Sequence, residues 1–276
     1  MLEFTKMHAL GNDFVMLDGV RHVVDLTSAQ IKGLADRHRG IGCDQVIVAE
    51  RGRDGTDFHM RVFNADGGEV GQCGNGARCL GVWVVQQQLT SSRQLLISTA
   101  TTRLELEVRT EQQVQLKTAE PDFTLAAVPF QAEHDESLHS IEVDGERVTF
   151  SVVSVGNPHA VILVENLDKV PLSQWGPAIE NHHRFPEGTN VEFLLPLARD
   201  RLALRVWERG VGETLACGSG ACAAMVTAHR LGLVDDCVAV ELPGGIATVR
   251  WSGSGAVFLD GPVTTVYQGQ IEPTQI

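Results

Sequence analysis

Positive charge is scarce in this sequence. Lysine and arginine number 22 against 35 aspartates and glutamates, a formal charge of −13. A nucleic-acid backbone or an anionic membrane needs a basic surface, so neither is expected as the main partner. The acidity is read as solubility and nothing more. Long apolar runs are also missing. None approaches the ~18 residues that span a bilayer, and the longest candidate stretch lies around Cys79 to Val85. Met1–Lys6 has no basic start and no apolar core of signal-peptide length, so a cytoplasmic protein is expected. Aromatic residues are few, at 5%. No two cysteines are separated by two residues, which removes ribbon-type zinc sites and thioredoxin-like pairs. A Walker-type phosphate loop, a Gly-x-Ser-x-Gly elbow and a His-Glu-x-x-His helix are absent as well.

What remains is a globular chain of 276 residues, 43% hydrophobic and 21% charged. That length suggests two domains or one large one, and a chain near this size buries enough surface to fold without staples. Glycine is abundant, at 28 residues. The six cysteines, Cys43, Cys73, Cys79, Cys217, Cys222 and Cys237, are expected to be thiols rather than a disulfide framework.

Two segments read alike. They are Asn64-Ala-Asp-Gly-Gly-Glu-Val-Gly-Gln-Cys73-Gly-Asn-Gly-Ala77 and Glu208-Arg-Gly-Val-Gly-Glu-Thr-Leu-Ala-Cys217-Gly-Ser-Gly-Ala221. At a shift of 144 residues Gly68, Glu69, Cys73, Gly74, Gly76 and Ala77 fall on Gly212, Glu213, Cys217, Gly218, Gly220 and Ala221. At a shift of 145, Gly11-Asn12 falls on Gly156-Asn157 and Gln45 on Asn190. Ordered matches half a chain apart indicate two halves of one architecture. Strand patterns occur at 46–49, 59–63, 104–108, 148–155, 160–164, 202–207 and 247–251. Helices are expected from Ala77 to about Gln88 and from Ala221 to about Leu231, with Gly232 as a stop. Strands dominate without regular strand–helix alternation, which favours an α+β class with sheets around a helix in each half. The boundary is placed near Pro121.

Cys73 and Cys217 each open a glycine turn into a helix. Unpaired N–H groups at a helix start favour a thiolate and can hold an anion. One thiolate can take a proton from carbon while a thiol on the opposite face returns one, inverting a stereocentre. A free thiol titrates at about 8.5, so modest tuning suffices for such a task. Cys43, Cys79, Cys222 and Cys237 are read as packing.

These residues resemble a known family. Met7-His8-Ala9-Leu10-Gly11-Asn12-Asp13-Phe14, Phe63 through Glu69, Cys73-Gly74-Asn75-Gly76-Ala77-Arg78-Cys79, Gly156-Asn157-Pro158-His159, and Glu208 through Ala221 look like diaminopimelate epimerase. Ala9 and Gly68 stand where the family often has glycine and serine, and neither removes a chemical group named for the site. The resemblance implies interconversion of LL- and meso-2,6-diaminopimelate, on the lysine and peptidoglycan route, with no cofactor and no metal. It implies two similar lobes related by pseudo-two-fold symmetry, each a curved, mostly antiparallel sheet around a central helix. The lobes would be residues 1–118 plus 264–276 and residues 119–263, with the site in the cleft between them. It makes Cys73 and Cys217 the acid/base pair, with His159 and Glu208 adjusting their pKa values. Asn12, Gln45, Asn64, Gly74, Asn75, Asn157, Asn190, Glu208, Arg209, Gly218 and Ser219 become the substrate-binding set. Arg209 would take the distal carboxylate. The partner is small-molecule diaminopimelate, and a homodimer with Val263–Tyr267 near the contact is implied.

Other readings stay open at this stage. A related racemase or isomerase could act on proline, hydroxyproline or histidine. Such a substrate would leave Asn64, Glu208 and Arg209 without partners. The run Gly218-Ser-Gly220-Ala-Cys-Ala223 formally fits a dinucleotide-binding pattern, but the parallel βαβ context is missing. A redox role would pair Cys73 with Cys217 in a disulfide.

Overall fold

A computed structural model describes residues 1–132, 134 and 136–272, so the last four residues of the expected 264–276 segment lie outside the described part. The chain forms two compact units. One comprises Met1–Leu116 with Asp260–Ile276, the other Lys117–Leu259. The first contains β1 (Leu2–Ala9), β2 (Asn12–Gly19), α1 (Ser28–Ala35), β3 (Gln45–Arg51), β4 (Phe58–Asn64), β5 (Glu69–Val70), α2 (Gly74–Gln86), β6 (Gln94–Ser98), β7 (Arg103–Val108) and β8 (Gln113–Lys117). The second contains β9 (His139–Val143), β10 (Glu146–Ser154), β11 (Pro158–Leu163), α3 (Leu172–Glu180), β12 (Asn190–Ala198), β13 (Arg201–Glu208), β14 (Gly212–Thr214), α4 (Gly218–Arg230), β15 (Cys237–Leu242) and β16 (Gly245–Arg250). Then β17 (Phe258–Pro262) returns the chain to the first unit, where β18 (Thr264–Ile271) pairs antiparallel with β1.

The strand ladder is the same twice. In the first unit β1–β2, β3–β4, β4–β5 and β6–β7 are antiparallel, while β2–β3 and β4–β6 are parallel. In the second, β10–β11, β12–β13, β13–β14 and β15–β16 are antiparallel, while β11–β12 and β13–β15 are parallel. Register repeats as well. Phe14 faces Gln45 in one unit and His159 faces Asn190 in the other. This is an α+β architecture with mixed, mostly antiparallel sheets. All seven strand patterns and both helices read from the sequence fall on observed elements.

Alternation along the strands explains why each sheet carries helices on two faces. Val46 and Val48 point to α1, where they pack with Ile31 and Leu34. Ile47, between them, points to the start of α2. In the second unit Val191 and Phe193 pack with Leu172 and Ile179 of α3, and Glu192 points to the start of α4. The central helices are buried all round: Asn75 to Val84 in α2 and Gly220 to Ala228 in α4. A helix with no wet face has no polar stripe, and apart from Asn75 and Arg78 in α2 and Thr227 in α4 the buried side chains are small or apolar. Both begin three residues earlier than the sequence reading has them, at Gly74 and Gly218. Glycine is a poor helix former, so its propensity disguises the first turn. Among the described residues no helix is long and apolar enough to cross a membrane.

Candidate active site

Each central helix is capped by a cysteine. Cys73 and Cys217 occupy the N-cap positions in extended conformation, and each sulfur accepts from the N–H three residues on, Gly76 or Gly220, at 3.4 Å. The glycines that follow carry no side chain over the first turn, whose unpaired N–H groups can hold an anion. Cys73 is half-buried and Cys217 is 4% exposed.

In the first unit the polar residues named from the sequence form two bonded groups. Asn75 donates through Nδ2 to Asn12 Oδ1 (3.2 Å), and Gln45 Nε2 donates to Asn64 Oδ1 (2.8 Å). The Oε1 of Gln45 is buried with no donor among the described residues. Asn12 is held from behind, since its Nδ2 donates to Asp44 Oδ2 at 3.0 Å. Arg37 bridges Asp44 (2.7 Å) and Asp13 (2.8 and 2.9 Å), and Lys6 reaches Asp13 at 2.6 Å. Burial pushes the Asp13 carboxyl up, but the hydrogen bonds from Arg37 and Lys6 outweigh it and hold it well below the usual range. Its contribution to stability is therefore present above the unfolded carboxylate value and fades only as pH falls through the lowered one.

The loop carrying Asp44 depends on a close backbone approach. A Cβ on Gly40 would sit 1.9 Å from the Gly33 carbonyl oxygen and 2.8 Å from that of Leu34. Gly40→Ala must push this loop off α1. The expected cost is about 1–3 kcal/mol, read as a lower denaturation midpoint. An unchanged midpoint would mean the approach can relax.

The second unit builds a longer chain of contacts. Glu192 Oε1 lies 2.7 Å from His159 Nδ1, His159 Nε2 lies 3.0 Å from Asn157 Oδ1, and Asn157 Nδ2 donates to Ser219 Oγ (3.3 Å). Ser219 Oγ is 3.5 Å from Cys217 Sγ. Thr214 donates to Glu208. Asn190 donates to the Pro158 carbonyl (2.8 Å) and accepts the Arg209 N–H (3.0 Å), so most of its amide fixes the turn that carries Arg209. Arg209 is exposed and gives one guanidinium N–H to the Glu187 carbonyl at 3.0 Å, leaving its planar fork with further donors.

Two sequence expectations change here. Cys217 is not close to a free thiol in its titration. Burial pushes it well above the ordinary value, and the Glu208 and Glu192 carboxylates push the same way. The Ser219 and Gly220 hydrogen bonds pull back less. Cys237 is exposed at the start of β15 rather than packed. Cys79 and Cys222 are fully buried, as expected for helix core positions. Cys43 is buried too, and burial pushes its thiol up to about 12. Among the described residues no disulfide joins any of the six cysteines.

Glu192 and Asp44 were not singled out from the sequence. Glu192 sits inside the apolar run Asn190–Leu195, where a lone carboxylate on the even face of a strand was the available signal. Asp44 bonds to residues 31 and 32 positions away, which no local pattern reveals.

Comparison with known proteins gives the class. The family described as diaminopimelate epimerase matches at residues 4–124 and 151–266. The chain is 45% identical over 273 residues to a protein named diaminopimelate epimerase from Stutzerimonas stutzeri strain A1501, covering 98% of this chain and 99% of that one. It is 46% identical over 275 residues to one of the same name from Thioalkalivibrio sulfidiphilus, with the same coverage. Among solved structures, a hydroxyproline epimerase from Agrobacterium vitis overlays with a TM-score of 0.69 at 14% identity, over 97% of this chain and 91% of that one. A phenazine biosynthesis protein of the PhzF family from Bacillus anthracis overlays equally well, also at 14% identity, over 98% and 99%. These overlays establish a shared fold. The chain belongs to the diaminopimelate epimerase family.

Proposed function

We propose that this chain interconverts LL- and meso-2,6-diaminopimelate by a two-base mechanism. The observation that carries it is the matched pair of cysteines, each capping the central helix of a repeated unit. Each unit contributes one thiol. The thiolate of one removes the α-proton and becomes a thiol. The thiol of the other gives its proton to the opposite face and becomes the thiolate, so protons and charge balance over one turnover. Cys217, which its surroundings keep protonated, starts as the acid, and the reverse substrate uses the pair the other way round. The helix N-termini hold the α-carboxylate and stabilise charge that spreads onto it as the proton leaves.

The flanking amides support this reading. Asn12 and Asn157 occupy matching places, and the buried Gln45 Oε1 is an acceptor suited to an ammonium group. Asn64, Glu208 and Arg209 supply donors and acceptors for a second amino-carboxylate end. On the same reading the chain works in the cytoplasm as a homodimer, with the exposed Val266 and Tyr267 of β18 in the contact.

The test is incubation of LL-diaminopimelate with the purified chain in deuterium oxide, with no cofactor added. Chiral chromatography should show the meso form, and mass spectrometry should show one solvent deuterium at the α-carbon. Turnover of proline or hydroxyproline with none of diaminopimelate would overturn the substrate. Inversion without deuterium would overturn the two-base route.

A further inference from the structure

The two units differ beneath their cysteine-capped turns. At the start of α2 a Cβ on Gly76 would meet Ile47 Cδ1 at 2.4 Å and Phe14 Cε1 at 3.4 Å. At the start of α4 a Cβ on Gly220 would meet Glu192 Oε1 at 3.0 Å. By strand register Phe14 and Ile47 correspond to His159 and Glu192. The two matched positions are thus hydrocarbon in the first unit and an ionisable pair in the second, both members 0% exposed, although Val206 also lies against Gly220.

The hydrogen bonds fix how many protons this pair holds. An amide oxygen only accepts, so His159 Nε2, 3.0 Å from Asn157 Oδ1, carries a hydrogen. The 2.7 Å approach of His159 Nδ1 and Glu192 Oε1 then needs a further proton between them. The pair is imidazolium with carboxylate or imidazole with carboxylic acid, and it is neutral overall in either form. Glu192 Oε2 has no hydrogen-bond partner among the described residues, and a lone ionised carboxylate buried in that way is costly. The charged and titratable groups facing Glu192 are His159 from β11, Glu208 from β13 and Cys217 at the cap of α4.

We propose that Glu192 is a positioning residue that shares one proton with His159, locks Asn157 and Ser219 beside Cys217, and sets an ionisable pair beneath that thiol. Cys73 has Phe14 and Ile47 in that place, so the two thiols are chemically unequal. The proposal rests on the reading of Cys217 as an acid/base group.

The test uses the pH dependence of iodoacetamide alkylation, resolved by peptide for Cys73 and Cys217, beside diaminopimelate kinetics. Glu192→Gln keeps an N–H donor to Nδ1 and cannot become charged. In the native pair Glu192 presents a carboxylate beneath Cys217 whenever the shared proton sits on His159, and the variant has no carboxylate there. Its Cys217 alkylation midpoint should move down by about one pH unit, a tenfold change in thiolate fraction, while Cys73 stays in place. Glu192→Ile, which copies the first unit, also removes the charge but releases His159. Its kcat/KM should fall about a hundredfold, and Glu192→Gln should recover about tenfold of that. An unmoved Cys217 midpoint in Glu192→Gln, or an equal shift at Cys73, would overturn the proposal, as would equal kinetics for the two variants. Alkylation needs no turnover, so it separates this proposal from the substrate assignment. A shift confined to Cys217 in a chain inert toward diaminopimelate would support the one and sink the other.

Discussion

Cys217→Ser should lose epimerase activity by about 10²–10⁴-fold while remaining folded, and Cys73→Ser should do the same. A hydroxyl is far too weak an acid to supply a base near neutral pH. It is nevertheless among the best helix N-caps, and its oxygen can accept from Gly76 or Gly220 as the sulfur does. The substitution thus separates chemistry from capping. Alanine would remove both, at a cost of about 0.5–2 kcal/mol in the lost cap alone. Circular dichroism should be unchanged in both serine variants. Activity surviving in the doubly substituted chain would end the two-thiol mechanism.

The second large effect concerns stability. His159→Phe with Glu192→Ile copies Phe14 and Ile47 into the second unit. Buried ion pairs replaced by apolar side chains of similar volume often leave a protein more stable by about 1–4 kcal/mol. The first unit demonstrates that the same strands and helix accommodate that pair. The double variant should therefore melt higher, by roughly 2–4 °C per kcal/mol for a domain of this size. Its kcat/KM should fall by about a hundredfold or more as Asn157 loses its orientation. Calorimetry on the double variant decides it. A lower melting temperature would mean that the pair stabilises the fold rather than the reaction.

Much of this fold was legible because the repeat is written in residues that physics constrains tightly. Cys-Gly-x-Gly ahead of an apolar run suits a cap and a close-approach turn, so its recurrence exposed both central helices and the two-unit plan. The strands at 46–49 and 202–207 announced themselves by β-branched and apolar runs. The α1 and α3 pair did not, since Gly33 breaks the apolar rhythm of one and Pro177 sits within the other. The cysteines and flanking amides were legible through resemblance. Their supports were not, because Glu192, Asp44 and Arg37 act across long sequence separations. The high titration of Cys217 was also hidden. The helix terminus that argues for a thiolate is a local feature, whereas burial and two carboxylates are tertiary ones, and together they win.

In both helices the atom that closes the first turn is also the atom proposed to carry the proton. A sulfur that becomes a thiolate accepts its N–H bond with roughly twice the strength of a neutral one. Each turnover should therefore tighten the beginning of one central helix and slacken that of the other, and the next reverse turnover should exchange them. Read this way, α2 and α4 are paired springs whose tension records which isomer was last released. Amide hydrogen exchange at Gly76 and Gly220 is the place where that record would be kept.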